Sequence, residues 1–481
     1  MSEQAFWGAT RWAGAIARGE TTARAAVELY LDRIARLNPK LNAIIHLEAE
    51  RARAAATRAD LARRAGAPPG PLHGVPMTIK ESFQWAGTPV TFGMAPFAGN
   101  RPAGTALVVE RLEAAGAIII GKTNVPFALA DFQSYNAIHG VTGNPHDLAR
   151  TPGGSSGGSA AALAAGLSAL DYGSDIGGSI RNPAHFSGVF GHKPTWGLVP
   201  PLGHALDDSL APTDISVVGP LARTAADLEL ALALTAGADP LGAPVDPAAL
   251  PRLDAPVAGL TIACWFDDPL CPTSAAVRDR LEAVAEALEG AGARILRDAR
   301  PGFDPGDSHR IYEGLLQSAL AARQPDEAFA RLVETAGTGD PQRAATRLAR
   351  LQTMRFHERA RLDEARLKLR QAWGRFFADV DFLLTPVMPT TAFPHDHRPE
   401  GQRTVDVDGR ALPYFDQLFW AGLVGVAGLP GTVVPVGPAA DGLPVGVQIA
   451  GAPWHDFRTI GLARRLEAMG FGFVAPPLDW A

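Results

Sequence analysis

Two glycine-rich loops carry serines close together in this chain, and upstream of them a lysine ends a short apolar run. The first loop, Thr151-Pro152-Gly153-Gly154-Ser155-Ser156-Gly157-Gly158-Ser159, leads into an alanine-rich stretch over 160–170. Alanine favours helix strongly, so this loop is expected to feed a helix N-terminus. The second, Gly173-Ser174-Asp175-Ile176-Gly177-Gly178-Ser179-Ile180-Arg181-Asn182-Pro183, places Ser179 just before another helix start. There Asn182 is expected as the N-cap and Pro183 as the first helical residue. Helix entrances gather backbone N–H donors, and glycine permits unusual backbone angles. Two such loops could converge on one pocket, where a hydroxyl could act as a nucleophile. Lys80 ends Val75-Pro76-Met77-Thr78-Ile79-Lys80, a run that suits a buried strand.

Either loop alone would more often be a plain turn. As a phosphate cradle the first lacks the Gly-Lys-Ser/Thr ending of a P-loop. Gly153 to Gly157 matches a G-x-S-x-G nucleophile elbow, but that motif needs an apolar strand before it. Here Asn144-Pro145-His146-Asp147-Leu148-Ala149-Arg150 precedes it, so the elbow fails on context.

Across these residues the chain resembles the amidase signature family. The likeness spans 152–195 and includes Gly191-His192-Lys193-Pro194-Thr195. It extends to His73-Gly74-Val75-Pro76 with Lys80, to Gly121-Lys122-Thr123-Asn124, to Gly219-Pro220-Leu221-Ala222-Arg223-Thr224 with Asp227, and to Leu443-Pro444-Val445-Gly446-Val447-Gln448. It is weakest over about 300–415. His192 departs from the leucine or valine common in the family, a change read as local. The resemblance implies a triad of Ser179 as nucleophile, Ser155 on a cis peptide, and Lys80. It further implies an oxyanion hole from the backbone N–H groups of Ile176, Gly177, Gly178 and Ser179, with Ser156, Asp175 and Arg181 bracing the loops.

The chemistry needs these groups in particular states. An amide carbonyl is a poor electrophile, so the Ser179 hydroxyl must lose its proton as it attacks. Lysine accepts that proton only when neutral, and its ordinary pKa is about 10.4. Burial disfavours the ammonium form, and Lys80 at the end of an apolar strand is a fitting place for it. Glu81 is its neighbour in sequence, but successive strand residues face opposite sides. Ser155 would relay the proton and later deliver one to the leaving amine.

The elements that must hold these groups alternate between strand and helix. Residues 8–66 read as helical, with Asn38-Pro39 closing a first segment and 48–64 forming a solvated second one. Strands are expected at 75–80, 117–120, 259–265, 382–384, 432–436 and 445–449, and helices at 107–115 and 275–292. Residues 308–377 are mostly helical; the arginines from Arg343 to Arg375 read as the solvated face of a long helix. Leu348, Leu351, Phe356, Leu362, Leu369 and Phe376 would give that helix its core face. The pattern implies an α/β fold: one large domain with a central mixed, twisted β-sheet covered on both faces by helices. No repeat or linker divides it, so 1–481 is expected as one unit: a helical N-terminal segment over 1–66, a catalytic core over 70–230 and a variable helical pocket region over 300–415.

Composition narrows the function. With 481 residues, 47% hydrophobic and 20% charged, the chain has an ordinary globular balance. A net charge of −6, and no basic run interleaved with aromatics, argue against nucleic-acid binding. No apolar stretch is long enough to span a membrane. Cys264 and Cys271 could in principle pair but read more readily as reduced packing residues, and the protein as soluble and cytoplasmic. No cofactor and no metal are expected: His395-Asp396-His397 lies between prolines, and His357-Glu358 lacks the second histidine of a zincin helix. A Ser-His-Asp reading through His192, His204 or His455 has no supporting motif. Phe127, Phe132, Tyr135, Trp196, Tyr312, Phe415, Phe419 and Trp420 are candidates for an apolar substrate pocket, each more often core than pocket.

The leading expectation is a serine amidohydrolase, monomeric or homodimeric, acting on small, fairly apolar amides, with esters and carbamates (urethanes) also conceivable. Its rival is the A subunit of a tRNA-dependent amidotransferase, which releases ammonia from glutamine within a complex. That subunit typically carries a Tyr-Asp-Gly-Val-Arg-Tyr-Gly-like stretch, which this sequence lacks.

Overall fold

In the computed structural model, which describes residues 3–238 and 245–480, the chain builds an eight-stranded mixed sheet. Its strands run in the order Arg294–Leu296, Thr261–Cys264, Phe382–Pro386, Pro444–Ala450, Gly431–Pro438, Phe190–Lys193, Val217–Ala222 and Asp171–Asp175. The first three are parallel to one another, and every later pairing is antiparallel.

Both faces of this sheet are covered, and alternation along one strand shows how. Val433 clusters with Ile180 and with Ala184 and Phe186 of the helix Arg181–Ser187. Its neighbours Val434 and Val436 point the other way, into a cluster with Phe457, Ile460 and Leu462 of the helix Asp456–Ala468. Successive strand side chains face opposite sides, so a strand buried on both must be apolar throughout.

The strand Pro76–Lys80 does not join this ladder. It pairs in parallel with Ile118–Thr123, which pairs antiparallel with Ile44–Leu47, making a separate three-stranded sheet. The two sheets meet edge to edge, where Thr78 donates its N–H to Leu170 O at 3.2 Å and Ala169 its N–H to Pro76 O at 3.3 Å.

Several local expectations are corrected. The strand Ile44–Leu47 interrupts the N-terminal helices, and the helix before it runs past Asn38-Pro39 to Leu41. The arginine-rich segment is two helices, Ala344–Gln352 and Phe356–Asp379, and Phe356 is 87% exposed instead of facing the core. Asn182 is not an N-cap: the helix starts at Arg181, and its side chain has other partners. Among the described residues no helix is long and apolar enough to cross a membrane.

Candidate active site

Lys80 is fully buried at the end of its strand. Its Nζ donates to Ser155 Oγ at 2.6 Å and to Ser174 Oγ at 2.9 Å. Ser174 sits on the edge strand Asp171–Asp175, so the contact between the two sheets brings the lysine and both loops together. Burial pushes the Lys80 pKa down to about 7, against the opposing fields of Asp175, Asp171 and Glu81. None of these carboxylates pairs with it: among the described residues Lys80 forms no salt bridge. Glu81 turns away, accepting from the backbone N–H groups of Thr91 and, at 3.1 Å, Phe92. Glu81 lies in the turn just past the strand's last residue, so these two backbone donors, not strand alternation, hold it away from Lys80.

The first loop carries a cis peptide between Gly154 and Ser155, and Ser156 donates its N–H to Ser179 O at 3.1 Å. Asn182 ties the loops more firmly. Its Oδ1 accepts from Gly154 N at 2.9 Å, while its Nδ2 donates to Gly154 O and, at 2.9 Å, to Gly178 O. Ser179 itself is 7% exposed, and its hydroxyl has no protein partner among the described residues.

Asp175 and Arg181 form a buried ion pair at 2.8 Å inside the second loop. Burial pushes the Asp175 carboxyl up, but Arg181, Lys193 and the Gly178 N–H outweigh it and hold it at about 2. Arg181 also reaches Gln448 Oε1 at 2.8 Å and Ala421 O at 3.0 Å, anchoring the loop to the sheet and to the helix Leu418–Gly425.

One member of the expected oxyanion hole is withdrawn by this geometry. Gly178 gives its N–H to Asp175 Oδ1 at 2.9 Å, so it is already engaged. The N–H groups of Ile176, Gly177 and Ser179 have no protein acceptor among the described residues. Gly178 has φ +100°, and a Cβ there would lie 3.1 Å from Ala421 Cβ, so glycine suits this position on both counts.

The aromatic candidates separate. Tyr312 is buried at the loop, donating its hydroxyl to Ile176 O at 3.0 Å. Leu418, which sequence reasoning missed, faces the same loop: a Cβ on Gly177 would lie 3.0 Å from its Cδ2. Phe132 and Phe415 pack together 6.1 Å apart, and Tyr135 stacks on His397 at 3.9 Å. Phe419 and Trp420 are core residues beside Trp265, which corrects their assignment to a pocket. Phe127 is 62% exposed on the surface, so it too lies outside an enclosed pocket. Trp196 lines a separate cavity that touches none of Lys80, Ser155 or Ser179.

The histidines take other work. His192 is buried, with Thr432 Oγ1 at 2.9 Å and Asp456 Oδ1 at 3.1 Å, and it bolts strands to a helix. His204 meets Ser82 Oγ at 2.9 Å. No histidine among the described residues hydrogen-bonds Ser155 or Ser179. Cys264 and Cys271 are free and buried.

Comparison with known proteins fits this arrangement, for the Amidase family profile matches residues 25–460. The chain belongs to the amidase signature family. A curated relative from Synechococcus sp., the A subunit of glutamyl-tRNA(Gln) amidotransferase, is 33% identical over 480 residues, covering 95% of this chain and 96% of that protein. Among solved structures, one described as a vestigial protein complex bearing on the origins of an s-triazine catabolic enzyme superimposes with TM-score 0.80 and 28% identity, covering 97% of this chain and 99% of that one. The peptide amidase of Stenotrophomonas maltophilia gives TM-score 0.77 and 28% identity, with 98% of each chain covered. As an amidase signature protein the chain is a hydrolase of C–N bonds.

Proposed function

We propose that this amidase signature enzyme cleaves a carboxamide through an acyl-enzyme on Ser179. The observation that carries this reading is Lys80: buried, unpaired by any described carboxylate, pushed down to about 7 and 2.6 Å from Ser155. A lysine near that value is largely neutral in mildly alkaline solution and accepts a proton. Ser179 Oγ attacks the carbonyl carbon as its proton passes to Ser155, whose own proton passes to Lys80. The N–H groups of Ile176, Gly177 and Ser179 receive the oxyanion. The relay then reverses: the C–N bond breaks as Ser155 protonates the leaving nitrogen, and water releases the acid from Ser179 by the same steps. Ser156, Asp175 and Arg181 keep the loops in register.

Two settings suit this chemistry, and the curated relatives weigh toward the first. They are named as amidotransferase A subunits and match nearly the full chain, which favours glutamine as the amide donor within a multi-subunit complex. On that reading a complex serving a charged tRNA replaces the expectation of a small-molecule partner alone. The second setting is a stand-alone hydrolase of small apolar amides, with esters and carbamates as further candidates. It is favoured by the missing Tyr-Asp-Gly-Val-Arg-Tyr-Gly-like stretch and by the apolar Leu418 side chain beside Gly177. Assaying the purified chain against glutamine, with and without partner subunits, and against anilides, esters and carbamates decides between them. Ammonia release from glutamine only in the presence of partners selects the first; turnover of an anilide by the chain alone selects the second. If Ser179→Ala turns over any of these at the normal rate, both fail.

A further inference from the structure

The cavity that Trp196 lines is a feature of its own, about 490 Å³ in volume. That is the size of a small-molecule site, for which about 300–1,000 Å³ is usual. Its walls include Pro200, Ser216, Arg370, Pro453 and Trp454. Backbone bonds hold both tryptophans: Trp196 donates its N–H to Gly428 O at 3.0 Å, and Trp454 its N–H to Thr195 Oγ1 at 3.0 Å. Trp454 is kept at φ +68°, a left-handed conformation that bulky residues rarely adopt.

Arg370, on the helix Phe356–Asp379, is the charged group of this cavity. It is half-buried, and its Nε donates to Ala427 O at 3.0 Å. Its two terminal nitrogens have no hydrogen-bond partner among the described residues, and no described carboxylate forms a salt bridge with it. The neighbouring charges are already matched. Arg359 and Arg366 both pair with Asp214 and with Asp363. Among the described residues three guanidinium groups thus stand against two carboxylates, and the surplus charge belongs to Arg370. Burial, and then the field of Arg366, push its pKa down against the weaker opposing fields of Asp214 and Asp363, but a guanidinium stays charged at neutral pH. A half-buried cation with no carboxylate in direct contact among the described residues is unfavourable, and a bound anion relieves it. Neither indole N–H nor the Ser216 hydroxyl has a protein partner among the described residues, which leaves further donors at the walls.

We propose that this cavity binds a small aromatic carboxylate, with its carboxylate on the free fork of Arg370 and its ring against Trp196 and Trp454. The guanidinium fork matches a carboxylate with two parallel hydrogen bonds, and prolines and indoles suit a planar apolar body. The site lies apart from Lys80, Ser155 and Ser179 and does not depend on their chemistry.

The test is a calorimetric titration of the full chain with phenylacetate, read in parallel by tryptophan fluorescence. Saturable binding at one site is expected, unchanged in Ser179→Ala and weakened about tenfold or more in Arg370→Met. The neutral analogue 2-phenylethanol should bind about tenfold or more weakly for the same reason. Trp454→Ala, at a partly exposed position, should also weaken phenylacetate, and it decides the matter should Arg370→Met fail to fold. Absence of saturation, equal affinity for the two compounds, or wild-type affinity in Arg370→Met or Trp454→Ala overturns the proposal.

Discussion

The side chain of Asn182 grips Gly154 from both sides, accepting from its N–H at 2.9 Å and donating to its carbonyl. One amide thereby fixes where Ser155 stands relative to the loop bearing Ser179. Asn182→Ala leaves two buried backbone groups unpaired, each worth about 1–3 kcal/mol. It should lower Tm and, by loosening the loops, cut kcat by about 100-fold. Steady-state kinetics beside thermal melts check this, and an unchanged kcat would remove Asn182 from its positioning role.

Ser179→Ala, Ser155→Ala and Lys80→Ala should each reduce turnover by about 1,000-fold or more, with circular dichroism unchanged. A sulfonyl fluoride should add one adduct, located by peptide mass spectrometry on Ser179. An adduct on Ser155 or Ser156 would reassign the nucleophile.

The state of Lys80 gives activity a pH dependence of known sign. A base must be unprotonated to work, so kcat/KM should rise with pH through about 7 and then level off. Lys80→Arg, which keeps its proton throughout, should show neither the limb nor appreciable rate. A rate that falls over the same interval would exclude Lys80 as the base.

The same lysine affects stability. Its pKa is about 7 in the folded chain and 10.5 when unperturbed, so between these values the unfolded chain binds more protons. Stability contributed at this position therefore rises with pH across that window. Lys80→Met removes the cost of burying the group and should raise Tm at pH 7 while abolishing activity. A large fall in Tm would mean that the hydrogen bonds to Ser155 and Ser174 outweigh the burial cost.

Arg181→Met should be far more disruptive. It leaves Asp175 buried with its charge uncompensated, at a cost of about 3–5 kcal/mol. In the wild type the depressed Asp175 value stabilises the fold above pH 4 or so, and that contribution fades as pH falls toward about 2. Urea unfolding of variant and wild type at pH 7 measures the difference; a change under about 1 kcal/mol would contradict a buried, unshielded pair.

Much of this protein was determined by its sequence alone. Strand–helix alternation specified an α/β fold because apolar runs such as Ile118-Ile119-Ile120 bury both faces. The glycine-serine loops and Lys80 pointed to one site because backbone donors, hydroxyls and a buried amine serve one chemistry. What local pattern could not carry were contacts between remote segments. Ser174 belongs to the glycine-serine segment that begins at Gly173, yet its bond to Lys80 exists only because two separate sheets meet at Leu170 and Thr78. Asn182 has the composition of a helix cap, but tertiary contact gave its amide to Gly154. Gly178 looked like a free donor until Asp175 folded back onto it. Period and propensity act over a few residues, whereas hydrogen-bond partners are settled by which distant surfaces pack, and that is a property of the folded chain.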